Sequence, residues 1–218
     1  FTLACLVVQF TIGFLFAMFF SKKFTLAGPI RGLVLVGYMM PMSVTALLGK
    51  NLFLLDGGVI NDLLMKVHLI SSPIDWLVNG GTALGAVIAV NCWVGIPFNM
   101  LLLTSGLTGI STDIYESASM DGANAFKRFI YITLPLMKPA MLSVLMLGFI
   151  YTFKAFDLMY IMTAGGPFNS TDVLGTYAYS KAFTQYEFSQ GSAIAMVLFA
   201  CLFLVGIFYL KLLSKEDD

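Results

Sequence analysis

The stretch "ESASMDGANAFKRFIYITLPLMKP", residues 116–139, interrupts a chain that is otherwise strongly apolar. Of the 218 residues, 59% are hydrophobic and 11% are charged, whereas about 25% are charged in an average soluble protein. Only helices and closed barrels satisfy the backbone inside a bilayer, and the apolar runs here have helical length. We therefore predict an all-α, polytopic membrane protein in which residues 116–139 belong to a polar connection.

Local patterns in and before this stretch predict two short helices that meet at an angle. Asp113 with Glu116 three residues later is typical of a capping box at a helix start. Gly122 weakens the helix and allows a change of direction. Pro135 and Pro139 are expected to end the segment and to restart a helix that enters the membrane.

Five apolar stretches are long enough to cross a hydrocarbon core about 30 Å thick. We place these spans at residues 2–20, 30–49, 82–104, 140–163 and 190–213, within a single transmembrane domain of residues 1–218. The chain begins with Phe1 rather than an initiator Met. We expect a further helix upstream.

The cations are distributed unequally between the two sides of the predicted bundle. Under the positive-inside rule, the side with more Lys and Arg faces the cytoplasm. This predicts a cytoplasmic location for the connection at 111–139 and for the C-terminus. The cytoplasmic cations would be Lys22, Lys23, Arg31, Lys127, Arg128, Lys138, Lys211 and Lys215, against Lys50, Lys66 and Lys181 outside.

The connection resembles the EAA loop of bacterial ABC importer permeases. The resemblance is carried by Glu116, Ala118, Asp121-Gly122-Ala123, Ile132, Leu134-Pro135 and Pro139, with Ser117 replacing the usual second small residue. Without the resemblance, the same stretch fits an amphipathic connector that rests on the bilayer surface.

Three further phrases resemble carbohydrate-uptake permeases of the maltose-permease type. They are "VNCWVGIPFNMLLLTSGLTGI" before the loop, "FDLMYIMTAGGP" after it and "AFTQYEFSQGSAIA" ahead of the last span. Together the similarities extend over residues 1–218 and imply a MetI-like permease fold in a bacterial cytoplasmic membrane.

The resemblance also implies partners. These are a second permease, two cytoplasmic ATPases that hold ATP and Mg²⁺, an external solute-binding protein and a carbohydrate, for which a di- or oligosaccharide is expected. This chain would bind no cofactor and no metal, and would not itself be an enzyme. The residues implied to couple it to the ATPases are Glu116, Ser117, Ala118, Asp121, Gly122, Ala123, Leu134 and Pro135.

Polar and aromatic residues inside two spans are candidates for lining a substrate cavity. Asn91, Gly95 and Phe98 recur at helical spacing, and the resemblance places cavity residues on that face. Sugars are bound by hydrogen-bonding groups and aromatic faces. Tyr38, beside Pro41, is a further candidate. The next span offers a stripe of Tyr151, Lys154 and Asp157.

Lys154 and Asp157 lie well inside the predicted span 140–163, and charged side chains at such positions rarely face lipid. We expect them to pair with each other. Whether such a pair is structural or contacts substrate stays open.

Other functions are weighed against this one. The sequence has no G-x-x-x-x-G-K-[ST] motif, so energy from ATP must come from a partner. An ion-driven secondary transporter predicts intramembrane acids in mirrored broken helices, and an enzyme or electron-transfer subunit predicts His, Cys or carboxylate clusters. A non-sugar importer, for example of glycerol phosphate, remains an alternative. The zero net charge argues against a nucleic-acid partner.

Overall fold

The computed structural model describes residues 1–22 and 24–214, and every regular element in this part is helical. Lys23 and Lys215, which entered the charge count, lie outside the described residues. The elements are α1 (Thr2–Phe20), α2 (Ala27–Met39), α3 (Met42–Leu52), α4 (Val59–Lys66), α5 (Gly80–Thr108), α6 (Thr112–Met120), α7 (Ala125–Arg128), a π-helical turn (Phe129–Thr133), α8 (Leu134–Phe153), α9 (Asp157–Met162), α10 (Leu174–Tyr179), a second π-helical turn (Ser180–Thr184) and α11 (Phe188–Ser214). The predicted all-α class is confirmed.

Four helical stretches among the described residues are long and apolar enough to cross a membrane, and a bent pair brings the number to five. The stretches are Thr2–Phe20, Gly80–Thr108, Ala125–Phe153 and Phe188–Leu213, and the bent pair is Ala27–Met39 with Met42–Leu52. We call the end of the bundle that carries residues 109–133 the loop end, and the other the opposite end.

Helices α1 and α5 form the central pair and approach each other closely. A side-chain carbon added at Gly13 would lie 2.6 Å from Cβ of Asn99, which is closer than carbon atoms pack. One turn further along α1, Ala17 is fully buried in a cluster with Leu103 of α5 and Met137 of α8. Small residues on α1 therefore let α5 and α8 pack against it.

The second predicted span, 30–49, is wrong as a single helix. The chain bends by 97° between α2 and α3, and the bend falls at Pro41. The residue before it, Met40, has an extended backbone with ψ 136°, as the proline ring requires of its neighbour. Because Pro41 also lacks an N–H, the hydrogen-bond ladder of α2 cannot continue through it.

The prediction that Pro135 and Pro139 end one helix and restart another is also wrong. Residues Ala125–Phe153 form one helical stretch, in which a π-helical turn at Phe129–Thr133 precedes Pro135. A π turn adds a residue to the helix and changes its hydrogen-bond register. The proline rings are thus accommodated within a continuous helix.

The predicted span 140–163 is interrupted as well. Helix α8 ends at Phe153, and α9 begins only at Asp157. Helix α9 packs against α3, the second half of the bent pair. Two interrupted helices therefore meet in the interior.

A buried amide organises the connection between α3 and α5 at the opposite end. The side chain of Asn61 donates to the carbonyls of Leu54 and Ile74, and its oxygen accepts from the indole of Trp76 at 2.8 Å. Asn61 is 1% exposed. The connection is thus a folded cap rather than a loose loop.

Candidate functional site

A cavity of about 400 Å³ lies where the two interrupted helices meet α1 and α5. The break between α2 and α3 contributes Tyr38 and Met42, and the break between α8 and α9 contributes residues 154–157. All seven residues predicted for a substrate cavity line it: Tyr38, Asn91, Gly95, Phe98, Tyr151, Lys154 and Asp157. The structure thus brings together residues that come from three predicted spans.

Aromatic rings form one wall of this cavity. The ring of Phe98 on α5 lies 5.6 Å from Tyr38 and 5.5 Å from Tyr151, measured between centroids. The contact between Phe98 and Tyr151 is edge-to-face, with 88° between the ring planes. Edge-to-face packing is favourable for aromatic pairs, so the three rings support one another and fix the shape of the wall.

Lys154 and Asp157 both face the cavity, but the expectation that they pair is wrong. Among residues 1–22 and 24–214, no ion pair joins them. Lys154 caps the C-terminus of α8, and Asp157 lies in the first turn of α9. Each charge therefore complements the dipole of its own helix. The Lys154 ammonium lies 5.1 Å from the centroid of the Tyr151 ring, in cation–π geometry.

Gly95 serves the packing of the cavity as well as its lining. A side chain there would collide with the amide of Gln9 on α1. That amide is 3% exposed and donates from Nε2 to the carbonyl oxygen of Asn91 at 3.2 Å. Gly95 thus makes room for a buried hydrogen bond that joins α1 to α5.

The predicted coupling loop is a helix–turn–helix at the loop end, formed by α6 and α7. Its first helix begins earlier than the capping-box prediction placed it. The N-cap is Ser111, whose hydroxyl accepts from the backbone N–H of Asp113 at 3.2 Å. Asp113 is therefore inside the first turn, where its charge suits the helix dipole.

The turn after α6 ends the helix by a Schellman motif. Gly122 has φ +74°, and the N–H groups of Ala123 and Gly122 donate to the carbonyls of Ala118 and Ser119 at 2.9 and 3.1 Å. This pair of hydrogen bonds requires a residue with a left-handed backbone at the position of Gly122, where glycine is favoured. The sequence Asp121-Gly122-Ala123 thus specifies the turn.

Side-chain bonds hold the two short helices in one arrangement. The hydroxyl of Tyr115 lies 2.9 Å from that of Thr133. The Arg128 guanidinium donates to the Ser119 hydroxyl at 2.8 Å. The ring of Phe129 then packs 6.1 Å from Phe14 of α1, which ties the loop to the bundle.

The loop has an exposed surface, which none of the residues that the structure describes covers. Met120 is 89% exposed and Phe126 is 72% exposed. Of the predicted coupling residues, Glu116, Ser117, Asp121, Gly122 and Pro135 are exposed, whereas Ala118, Ala123 and Leu134 are half-buried.

Comparison with known families decides the identity of the fold. The family described as "Binding-protein-dependent transport system inner membrane component" matches residues 9–215. The chain belongs to this family.

The curated relatives of this chain include permease proteins of sugar transport systems. It is 31% identical over 211 residues to the trehalose/maltose transport system permease protein MalF of Thermococcus litoralis, covering 97% of this chain and 70% of that protein. It is 32% identical over 201 residues to the sulfoquinovosyl glycerol transport system permease protein SmoG of Agrobacterium fabrum, covering 92% of this chain and 65% of that protein. For several such relatives, the chain spans 65% of the relative's length.

The permease fold also matches a solved structure. A bacterial ABC transporter involved in the import of the acidic polysaccharide alginate superposes with a TM-score of 0.84 at 18% identity, covering 99% of this chain and 78% of that chain. At this identity the match shows the MetI-like fold, as the sequence predicts.

Among the cavity residues that sequence reasoning missed, two are polar. Gln9 is a single amide in an otherwise apolar helix, and a polar side chain inside a span should have marked it as facing the interior. Thr152, 4% exposed on α8, also lines the cavity. Its small hydroxyl gave no comparable signal, because threonine can bond to its own helix.

Proposed function

We propose that this chain is the permease subunit of an ATP-driven, binding-protein-dependent ABC importer for a carbohydrate, most simply a di- or oligosaccharide. It lies in a bacterial cytoplasmic membrane with its loop end and C-terminus in the cytoplasm, as the cation distribution favours. A second permease completes the translocation cavity, two ATPases bind the loop, and an external solute-binding protein delivers substrate.

One observation carries this proposal. The 29-residue helical stretch Ala125–Phe153 begins in the exposed loop, and its far end contributes Gly148, Tyr151 and Thr152 to the cavity. At 1.5 Å per residue, such a helix is about 43 Å long. A displacement of the loop is therefore transmitted directly to the cavity wall.

The chemistry of the cavity favours a hydroxylated solute. Its wall combines the rings of Tyr38, Phe98 and Tyr151 with hydrogen-bonding groups of Gln9 and Asp157. Aromatic faces bind the C–H surfaces of sugar rings, and the polar groups bind hydroxyls. The sugar specificity of relatives such as MalF supports this assignment.

The loop supplies the mechanical connection. Its two helices are held together by the Tyr115–Thr133 and Arg128–Ser119 contacts, so it moves as a unit. When the ATPases close on ATP, this unit is carried with them, and the attached helix rocks between two packings of the bundle. ATP and Mg²⁺ stay on the partner subunits.

The test is reconstitution of the complete complex in liposomes. The tagged chain is purified with its second permease and ATPases, and ATP hydrolysis is measured with the solute-binding protein and a panel of maltose, trehalose, an alginate oligosaccharide and glycerol phosphate. Stimulation by a saccharide, with uptake, is the expected result. Stimulation by glycerol phosphate alone would assign the non-sugar alternative, and uptake without an ATPase would overturn the proposed class.

A further inference from the structure

Five aromatic rings at the opposite end contact one another in a continuous series, which we call the aromatic track. The track consists of Phe156, Tyr160, Tyr179, Phe183 and Phe188. Successive centroids are 5.3, 4.9, 5.1 and 6.2 Å apart along this order. The rings come from the N-cap of α9, from α9 itself, from α10, from the second π-helical turn and from the start of α11, so tertiary folding assembles the track.

One end of the track opens into the cavity. Phe156 lines the cavity together with its neighbour Asp157. From there the series passes over the half-buried Tyr179 to Phe183, which is 61% exposed, and to Phe188, which is 57% exposed. The track therefore connects the cavity with the surface of the opposite end.

The outer end of the track also carries polar groups. The Lys181 ammonium donates to the side-chain oxygens of Gln185 at 2.8 Å and Glu187 at 3.0 Å. In the sequence, Lys181 lies two residues before Phe183, and Glu187 lies directly before Phe188. Rings beside amide and carboxylate groups suit a ligand that has both apolar faces and hydroxyls. A lipid acyl chain cannot form hydrogen bonds with these polar groups.

We propose that the aromatic track is a second carbohydrate site, which binds pyranose rings on their way from the outer surface to the cavity. This inference rests on the proposed function, because it takes the transported solute to be a saccharide. An aromatic belt in the membrane interface is the competing explanation, but belt residues have no reason to touch in series or to end in a cavity. A second competing explanation is that the second permease buries these rings.

Substitutions at Phe183 distinguish a ring that binds sugar from one that only packs. We expect Phe183→Trp to keep uptake and Phe183→Leu to lower it by about threefold to tenfold, since the free energy of a ring contact is lost. The assay is uptake by the complete reconstituted transporter of the panel saccharide that best stimulates ATP hydrolysis. Phe199→Ala is the control, because Phe199 is 58% exposed and stacks on Phe203 of α11, away from the track.

A labelling experiment tests whether the track is open to water in the assembled transporter. Phe183→Cys and Phe199→Cys are made in a Cys201→Ala background, since Cys5 and Cys92 are buried. A membrane-impermeant maleimide applied from outside is expected to label position 183 and not position 199. Equal uptake by Phe183→Leu and wild type, or an unlabelled position 183, would overturn the track. If no saccharide stimulates the wild-type complex, the proposed function fails instead.

Discussion

The predicted coupling loop and the cavity are built by different means. The loop is continuous in sequence, and its turn is specified by Ser111 at the start of α6 and Gly122 at its end. The cavity collects side chains from α1, α2, α3, α5, α8 and α9, and two of its sides exist only because helices are interrupted. Local signals thus specify the first region, whereas contacts between distant segments specify the second.

The largest expected effect comes from a change that separates the helices behind the cavity. In Gly13→Val the added carbon meets Cβ of Asn99 at 2.6 Å and the backbone nitrogen of Met100 at 3.2 Å. Neither can move without shifting α5. Overpacking of this kind costs about 1–3 kcal/mol, and we expect a lower Tm in detergent together with a loss of uptake.

The matched control for this change lies on α5. A side chain at Gly85 meets nothing within 4 Å, so Gly85→Val should keep the Tm close to that of the wild type. If both variants are equally stable, the close contact of α1 with α5 does not hold the cavity together.

The sequence predicts most of the loop. For the cavity, it predicts residues that line it but not its shape. Helical spacing alone puts Asn91, Gly95 and Phe98 on one face, the resemblance implies that this face lines a cavity, and it does. The shape does not follow from spacing, since a continuous helix and a broken one carry the same apolar pattern. The break at Pro41 has a local signal, but no proline marks the interruption after Phe153. The supposed ion pair between Lys154 and Asp157 failed for that reason.

A change at Gly122 tests the locally specified region. Gly122 has φ +74° and open space where a side chain would lie, so the cost of Gly122→Ala is conformational and amounts to about 1 kcal/mol. We expect the chain to insert and assemble while saccharide-stimulated ATP hydrolysis and uptake lose their coupling. Gly122→Asp adds a negative charge to the surface that we propose contacts an ATPase, and it should uncouple uptake at least as strongly.

A residue that tolerates a left-handed backbone should restore coupling at position 122. Such a rescue distinguishes loss of the turn geometry from a general loss of stability. Asparagine is the second choice at such a cap, so Gly122→Asn should couple better than Gly122→Ala. Gly109→Ala is a control at the end of α5, where φ is −75°. Equal coupling in Gly122→Ala and wild type would show that the turn geometry is not needed.

The charges at the cavity give a smaller and sharper test. Because Lys154 and Asp157 complement separate helix ends, Lys154→Met and Asp157→Asn should act independently. Their effects on the free energy of unfolding are expected to add within about 0.5 kcal/mol in a double-mutant cycle. A larger interaction energy between the two substitutions would support the ion pair that the sequence suggested.

The smallest effect concerns a local pair at the opposite end, six residues apart, and it should depend on pH in a defined direction. The hydrogen bond to Glu187 raises the pKa of Lys181 above its ordinary value. A raised lysine pKa stabilises the folded state at pH values below the ordinary pKa, about 10.4, and this contribution disappears as pH rises through the folded-state pKa. The difference in Tm between wild type and Glu187→Gln should therefore be constant from pH 7 to 9 and should decrease only as pH rises above the ordinary lysine pKa of about 10.4. A difference in Tm that grows with pH would contradict the proposed pairing of Lys181 with Glu187. Because both side chains are partly in solvent, the change in Tm should be smaller than that of any variant above.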